Sequence, residues 1–438
     1  MSSVAPTFQC INCSTRVPLD QAVYACPTCG HLLEVHIDPE VFRARGPEEW
    51  KALFDQRLAG QPGPDGSGVW RFREWVLPGL PVDDIVTLGE GGSALTRSPR
   101  LNEHLGIDLL TKQCGHTLSG SFKDLGMTVL ISHVNRLRKL GHDIPAVACA
   151  STGDTSAALA AYGAAAGIRT LVLLPTGKVS AAQLVQPLSH GARVLAIETD
   201  FDGCMVHVQK LCGEGNVYLA NSKNSLRIEG QKTVAFEICQ GLRWKLPDWV
   251  VIPGGNLGNV SALARGFEQL RLAGITDRIP RIMCAQASAA DPLYNSYEHD
   301  FAPLVPQQAQ DTMANAIRIG NPVSFPKAIH ALKASAGVVT SVTEQELAEA
   351  AREADAHGFF LCPHTAVAYG GIKQGIKSGL ISKSQQVVVV STAHGLKFTE
   401  FKNHCAADTI PSVELPEPYR PIHVEDDLAQ VLNAALGE

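Results

Sequence analysis

The sequence lacks the features that mark a membrane protein, an exported protein or a nucleic-acid binder. No apolar run is long enough to cross a bilayer, and the most apolar segment, residues 157–168, is interrupted by Gly163 and Gly167. Residues 1–9 show neither a secretory nor a transit pattern. The 438-residue chain carries a formal charge of −6 without basic blocks. We therefore expect a cytoplasmic protein with no nucleic-acid or membrane partner.

A disulfide framework is also missing. Four of the twelve cysteines lie within the first 29 residues and the others are scattered singly, which fits a reducing compartment. These four form two Cys-x-x-Cys pairs with twelve residues between them, a spacing typical of a zinc ribbon, in which four thiolates enclose a tetrahedral structural site. The alternative is a set of free thiols without a metal. The predicted ligands are Cys10, Cys13, Cys26 and Cys29.

The remaining chain shows no internal repeat and no low-complexity tract. Short apolar runs alternate with longer helical stretches, which predicts an α/β protein whose parallel sheets are covered on both faces. Residues 144–150 and 249–252 read as buried strands, and residues 229–242 as one helix. Residues 343–357 read as an amphipathic helix, and a Thr-x-x-Glu capping box at Thr343 fixes its start.

A connecting segment lies between the cysteine pairs and the α/β region. Residues 47–58 are predicted to be helical, and the Gly/Pro-rich stretch at 60–68 predicts a flexible connection. Trp50, Trp70 and Trp75 cluster near this stretch. We expect these large apolar rings to anchor the N-terminal segment on the main body.

The most informative stretch is Ser-Gly-Ser-Phe-Lys-Asp at residues 119–124. A lysine that forms a Schiff base must be neutral part of the time, so burial and a nearby cation are needed to lower its pKa. The small residues before Lys123 leave room for a planar ring. The alternative is an ordinary helix start, with Ser121 as the cap.

A glycine-rich loop at residues 254–259 follows the strand at 249–252 and leads into a helix. Glycines let the backbone approach an anion, and unpaired N–H groups at a helix start bind it. No Gly-Lys-Ser/Thr follows, so a nucleotide P-loop is excluded. The alternative is a tight turn between strand and helix.

Two further polar segments precede helices. Residues 150–156, rich in Ser and Thr around one glycine, suit a carboxylate, although a helix cap with spare serines is the alternative. Residues 221–227 end in Arg227, a side chain suited to bidentate recognition of phosphate, although a solvated loop is the alternative.

A hydroxyl-bearing segment, Ser-Thr-Ala-His-Gly at residues 391–395, follows a valine-rich strand. Its Ser or Thr would hydrogen-bond a pyridine nitrogen without holding it protonated, which favours elimination and replacement over decarboxylation. The alternative is a strand end followed by a turn. An amine, a phosphate site and such a hydroxyl are together what pyridoxal phosphate requires of a protein.

In this order, the segments resemble the threonine synthase family of fold-type II pyridoxal-phosphate enzymes, in its plant-like branch. The resemblance covers roughly residues 85–405 and rests on the specific strings at 121–128, 229–233, 318–324 and 362–365. It implies an α/β protein with two parallel-sheet domains, the cofactor in the cleft between them, and a small N-terminal Cys-rich ribbon. It also implies a homodimer.

The resemblance divides the chain into four parts. We expect a zinc-ribbon-like segment with the four cysteines at residues 1–35, a helical linker at 36–84, a catalytic core at 85–405 and a C-terminal extension at 406–438. Within the core, a smaller α/β subdomain at about 125–225 is inserted in the larger one.

Site roles follow from the resemblance, position by position. Lys123 would form the Schiff base and move protons, and Thr392 would face the pyridine nitrogen. The cofactor phosphate would be held by Gly255, Asn256, Leu257, Gly258 and Asn259. The substrate carboxylate and the cofactor ring hydroxyl would be faced by Ser151, Thr152, Asp154 and Thr155, with Asp154 on the cofactor side. The substrate phosphate would be held by Ser222, Asn224 and Arg227.

The implied reaction converts O-phospho-L-homoserine and water to L-threonine and phosphate. A related lyase, such as a threonine dehydratase or a cysteate synthase, is the alternative within enzymes. A zinc-ribbon binding protein on an inactive enzyme scaffold is the alternative outside them.

Overall fold

The structure is a computed structural model. It describes residues 5–58, 63–151, 153–177, 181–416 and 419–436. The predicted substrate residue Thr152 lies outside the described residues.

The first unit is a small antiparallel sheet. Its strands are β1 (Thr7–Cys10), β2 (Arg16–Pro18) and β3 (Leu33–His36), in the order β2-β1-β3. The strands alternate buried and more exposed residues, and Phe8 and Val35 face the core. The two Cys-x-x-Cys pairs lie in the turns at one end of this sheet.

A connecting segment packs on the main body. Its helices are α1 (Glu40–Arg43), α2 (Pro47–Leu58) and α3 (Arg73–Val76). Trp50 and Trp75 are buried with their ring centroids 5.2 Å apart, and Trp75 lies 5.4 Å from Phe236. Trp70 donates from Nε1 to Thr128 Oγ1 at 2.7 Å. The expected anchoring by tryptophans is confirmed.

The described part of the Gly/Pro-rich stretch, residues 63–68, differs from the predicted flexible connection. Ser67 donates from Oγ to Glu90 Oε1 at 2.7 Å, and Gly68 donates from its backbone N–H to the Glu90 carbonyl at 2.7 Å. A Cβ on Gly68 would stand 1.9 Å from the Gly92 nitrogen. The glycine is therefore needed for close packing of two backbones rather than for flexibility.

The α/β part begins with four elements, β4 (Leu95–Thr96), α4 (Pro99–Leu105), β5 (Asp108–Gln113) and α5 (Lys123–Lys139). The elements that follow are β6 (Ala146–Ala150), α6 (Asp154–Ala165), β7 (Arg169–Pro175), α7 (Ala181–Ser189), β8 (Arg193–Ile197), α8 (Phe201–Glu214), β9 (Tyr218–Leu219), α9 (Leu226–Gln231) and α10 (Thr233–Gly241). The remaining elements are β10 (Trp249–Pro253), α11 (Gly258–Leu272), β11 (Arg281–Ala287), α12 (Pro292–Tyr297), α13 (Phe325–Ala334), β12 (Val338–Val342), α14 (Glu344–Ala356), α15 (Pro363–Lys377), β13 (Gln386–Ser391), α16 (Thr399–Ala407) and α17 (Leu428–Leu436).

These strands form two separate sheets within the described chain. The larger has the order β12-β11-β10-β13-β5-β4, parallel except for β4, and the smaller has the parallel order β8-β7-β6-β9. The central strands are buried except for the first residue of β13, as in a sheet covered by helices on both faces. Two parallel-sheet α/β units are confirmed, while the four-part division of the chain stays a prediction.

Most predicted elements appear within a residue or two of their expected bounds. The capping box is present, because Thr343 and Glu346 each bond the other's backbone N–H. The predicted helix at 229–242 is instead the pair α9 and α10, which meet at Lys232. At this junction Gly266 of α11 approaches closely, since a Cβ there would stand 2.3 Å from the Lys232 carbonyl oxygen.

The antiparallel sheet at the N-terminus is hydrogen-bonded to two helices of the larger unit. Arg265 on α11 donates to the Val35 carbonyl and lies 3.6 Å from Glu229 of α9. Lys327 on α13 donates to the Leu33 carbonyl at 2.6 Å. Burial lowers the pKa of Lys327 to about 8. Strand β3 is therefore held by cations from two helices of the core.

No helix in the described ranges has both the length and the apolar character that a membrane crossing requires.

Candidate active site

Three of the predicted segments lie at one edge of the larger sheet. Strands β10, β13 and β5 are parallel neighbours, so their carboxyl ends meet at the same edge. The glycine loop at 254–259 follows β10, residues 392–395 follow β13, and the loop at 114–122 leads from β5 to Lys123. Ligands of open α/β sheets bind at such an edge.

The loop before Lys123 is bonded directly to the segment after β13. Phe122 donates from its backbone N–H to the Thr392 carbonyl at 2.8 Å, and His394 donates to the Gly120 carbonyl at 2.9 Å. Between them, Ser121 and Ala393 form an antiparallel bridge. These bonds place the lysine beside the predicted pyridine-nitrogen partner.

The smaller sheet brings the other two segments to the same place. Strands β6 and β9 are neighbours, and the Asn221 side chain bonds the backbone N–H and carbonyl of Ala150 at 3.0 and 2.8 Å. The two units touch where Ser121 donates from Oγ to Asp154 Oδ2 at 2.9 Å. All five segments therefore converge on one cleft between the sheets.

Lys123 is the first residue of α5 and is partly buried. Burial and the nearby Arg227 lower the pKa of Lys123 from its usual 10.5 to about 7, while Asp154 acts in the opposite direction. Its Nζ lies 4.0 Å from the centroid of the Phe122 ring. A lysine in this setting is neutral for much of the time near pH 7.

Arg227 is 4% exposed, and its charge is not balanced by a carboxylate in the described part of the chain. Its guanidinium donates to the Ala220 carbonyl at 3.2 Å and to Thr155 Oγ1 at 3.4 Å, and its Nε has no partner among the described residues. Burial lowers the pKa of Arg227 to about 10. A buried cation with a spare donor is suited to bind an anion.

The glycine loop presents backbone amides. In the described structure no hydrogen bond engages the N–H groups of residues 255–259, and α11 begins at Gly258. Leu257 has a φ of 65°, which turns the backbone into the helix. A Cβ on Gly255 would stand 3.0 Å from the Ile317 Cα atom, so a side chain there would require Ile317 to shift. Free amides at a helix start form an anion cradle.

Thr392 is buried and is held in place by residues at the start of α15. Its backbone N–H donates to Thr365 Oγ1 at 3.1 Å, and its hydroxyl oxygen lies 3.8 Å from the Cys362 sulfur. Burial raises the pKa of Cys362, but His364 and Thr365 outweigh it and bring the pKa to about 7. The start of α15 therefore fixes Thr392 in place.

Several predicted side chains already use their polar atoms in hydrogen bonds within the protein. Asn224 donates to the Leu219 carbonyl at 3.0 Å and accepts from the Leu226 N–H. Asn259 donates to the Pro253 carbonyl at 2.7 Å, and Asn256 accepts from the Val323 N–H at 3.3 Å. Ser151 accepts from the Gly153 N–H, and Ser222 is half-buried.

Two residues of the cleft carried no role in the sequence prediction. Lys397 lies 3.2 Å from Asp154, and His364 accepts from the Ala316 N–H at 3.0 Å next to the glycine loop. Burial raises the pKa of Asp154, but Lys397 and His364 reverse this and hold it below its usual value. The only sequence signal for either residue was its position inside a conspicuous motif.

Comparison with known proteins agrees with this geometry. A family model described as "Pyridoxal-phosphate dependent enzyme" matches residues 86–393. Threonine synthase 2, chloroplastic, of Arabidopsis thaliana is 48% identical over 421 residues, covering 95% of this chain and 81% of that protein. Threonine synthase of Methanocaldococcus jannaschii is 40% identical over 394 residues, covering 89% and 92%.

Among solved structures, threonine synthase from Escherichia coli superposes with a TM-score of 0.69 at 20% identity, covering 94% of this chain and 93% of that one. At this identity the likeness supports the fold alone.

Proposed function

Because the chain belongs to the threonine synthase family of pyridoxal-phosphate-dependent enzymes, we propose that it converts O-phospho-L-homoserine and water to L-threonine and phosphate in this cleft. The observation that carries the proposal is the pairing of Lys123, whose pKa is about 7, with the buried and unbalanced Arg227. Lys123 is suited to form a covalent bond and to carry protons, and Arg227 is suited to stabilise a departing phosphate.

The residues present fit the cofactor. The amides of the glycine loop offer a phosphate site whose room depends on Gly255, the buried hydroxyl of Thr392 offers a partner to the ring nitrogen, and Lys123 offers the amine. When bound, pyridoxal phosphate supplies an aldehyde for amines and a conjugated ring that accepts electrons from the substrate.

Lys123 would carry the protons. Its neutral Nζ would accept the proton from the substrate α-carbon and would give that proton up before it accepts one from the β-carbon. The two protons removed balance the two that are added, one at the γ-carbon and one at the α-carbon, and the remaining proton of the added water leaves with the phosphate. The γ-carbon loses phosphate and gains a proton to become the methyl group of threonine. The hydroxyl group added at the β-carbon comes from water.

Arg227 would bind the substrate phosphate and stabilise it as it leaves. Its two bonded nitrogens are held by the Ala220 carbonyl and Thr155, which orients the guanidinium, and its Nε remains available. A cation already desolvated in the free protein needs little reorganisation when the dianion departs. A dehydratase acting on a substrate without phosphate has no use for this group.

The remaining predicted residues divide into two groups. Ser151 and Thr155 would bind the substrate carboxylate, with Asp154 on the cofactor side, and Ser222 would assist at the phosphate. Asn224, Asn256 and Asn259 would act by shaping the loops that their side chains already bond.

The test is incubation of the protein with phosphohomoserine, with inorganic phosphate and threonine measured together. Equal molar release of both is expected. Lys123→Ala should abolish both products and the visible band of the bound cofactor. Lys373→Ala, which removes an α15 lysine paired with Glu353 of α14, is the matched control and should keep both. A keto acid formed from threonine without phosphate release would favour the dehydratase instead.

We also propose that the four N-terminal cysteines hold a structural zinc ion. Their sulfurs lie within 4.8 Å of one another, and the contacts Cys10–Cys29 and Cys13–Cys26 are both 3.5 Å. Sulfurs around a tetrahedral zinc are separated by about 3.8 Å, given a bond of about 2.3 Å. The backbone N–H groups of Asn12 and Thr28 point at sulfurs from 3.4 Å, which stabilises thiolates. Metal analysis of the purified protein should find one zinc per chain.

A homodimer in the cytoplasm completes the proposal. None of the twelve cysteines, all of which lie among the described residues, forms a disulfide, which supports a reducing compartment. Light scattering on the purified protein tests the dimer, and fluorescence of a tagged full-length chain tests the location.

A further inference from the structure

Asp154 is a buried acid in a cleft that must accept anions. Its side chain is 9% exposed at the start of α6, and one oxygen accepts from Ser121. A carboxylate left unbalanced here would repel both the substrate carboxylate and the cofactor. The cleft therefore needs a positive charge at Asp154 that the proposed chemistry does not consume.

Lys397 meets this need from the opposite unit. Its Nζ lies 3.2 Å from Asp154 Oδ1, and it also donates to the Ser119 carbonyl and to Gln186 Oε1, each at 2.7 Å. Asp154 and Gln186 belong to α6 and α7 beside the smaller sheet, whereas Lys397 follows the larger one. The single ammonium group thus joins both units and the loop before Lys123.

The path of the Lys397 side chain is built into the loop before Lys123. Gly120 has a φ of 75°, and a Cβ there would stand 3.0 and 3.3 Å from the Lys397 Cδ and Cγ atoms. The glycine between the two serines therefore leaves room for the lysine stem as well as for a left-handed turn. This gives the motif a second reason for its glycine.

We propose that Lys397 is a positioning residue of the reaction, whose charge keeps Asp154 ionised and balanced so that the cleft accepts the cofactor and the substrate carboxylate. The inference rests on the proposed function, because Asp154 has this role only in a cleft that binds those groups. Two other charged or titratable side chains face Asp154: Lys123 from α5 and His364 from α15. Lys123 is taken up by the covalent chemistry and His364 uses its Nε2 to accept from the Ala316 N–H, so Lys397 is the lasting counter-charge.

The test is a double-mutant cycle with Lys397→Gln and Asp154→Asn. For each protein, the cofactor dissociation constant is measured by the visible band, and kcat and KM are measured with phosphohomoserine. Lys397→Gln should lower kcat/KM roughly 100-fold, chiefly through KM, because the unpaired carboxylate repels the substrate. Lys397→Arg keeps the charge and should stay within roughly tenfold of the native protein. Lys373→Gln, at the control position used above, should leave these constants unchanged.

The decisive comparison is Lys397→Gln in the Asp154→Asn background. If Lys397 acts by balancing charge, the same substitution there should cost less than roughly fivefold in KM and in cofactor affinity. Equal effects on KM and cofactor affinity in both backgrounds would mean that Lys397 only stabilises the structure, and would overturn the inference. If Lys397→Gln alone does not fold, a folded, cofactor-binding double variant supports the inference, and an unfolded one overturns it.

The two proposals can fail separately. A native protein that releases no phosphate from phosphohomoserine contradicts the proposed function. The cofactor-affinity arm of the cycle still tests Lys397 in that case.

Discussion

Capture of the cofactor by Lys123 should depend on pH in a way that reveals the environment of the lysine. The neutral amine is the nucleophile, and its pKa is about 7 because of burial and Arg227, compared with 10.5 for a free side chain. At pH 7 about half of the Lys123 side chains are then neutral, whereas an ordinary lysine would be neutral in about one molecule in 3000. The local environment is therefore expected to accelerate capture by roughly a thousandfold.

The assay mixes cofactor-free protein with pyridoxal phosphate between pH 5.5 and 9 and follows the visible band. The second-order rate should rise about tenfold per pH unit below 7, because the neutral fraction rises, and should level off above it. Arg227→Gln removes a repelling cation, so the bend should move to higher pH while the plateau rate remains. Arg271→Gln, which breaks a surface pair with Glu268, should leave the bend in place.

A rate that climbs steadily to pH 9 without a bend would refute the reasoning. It would mean that Lys123 keeps an ordinary pKa and that neither burial nor Arg227 acts on it. A bend near pH 7 that does not move in Arg227→Gln would mean that burial lowers the pKa of Lys123 and that Arg227 does not contribute.

Three further predictions concern phosphate, packing and metal. Arg227→Gln should lower kcat/KM for phosphohomoserine roughly 100-fold while cofactor binding persists, and steady-state kinetics with a spectrum of each variant checks both. Gly230→Ala should lower the free energy of unfolding by about 3 kcal/mol or more in chemical denaturation, because its Cβ would stand 1.6 Å from the Leu125 carbonyl oxygen. The control is Gly213→Ala on α8, whose Cβ would meet nothing within 4 Å and which should not destabilise the protein. Cys26→Ser should lose the bound zinc and lower the midpoint of thermal unfolding by roughly 5 °C. An unchanged midpoint would show that the metal does not contribute to the stability of the protein.

Local signals allowed much of the fold to be predicted. The capping box at Thr343 located α14 to the residue, and the glycine loop after 249–252 located the start of α11. The single helix expected at 229–242 is instead two helices, which meet where Gly266 of another helix approaches the Lys232 carbonyl. Periodicity along one segment carries no information about such an approach.

The cleft was predicted only in part, for a related reason. Lys123 and Arg227 stand in motifs whose chemistry is legible from residue type. Lys397 looks like a surface lysine in a short turn, and its partner Asp154 is more than two hundred positions away along the chain. Conversely, the side chain of Asn259 donates to the Pro253 carbonyl within its own loop, which its residue type does not reveal, and its role at the phosphate stays a prediction. Which polar atoms remain free is decided by the tertiary structure.

The fastening of β3 to the core has a practical consequence for shortened versions of this enzyme. Without the N-terminal sheet, Arg265 on α11 and Lys327 on α13 would lose their carbonyl acceptors. The same sheet buries Phe8, Leu33 and Val35 in one apolar cluster with residues of the catalytic core, so a truncated protein would expose apolar surface to solvent. We therefore expect deletion of this sheet to reduce the soluble yield of the enzyme.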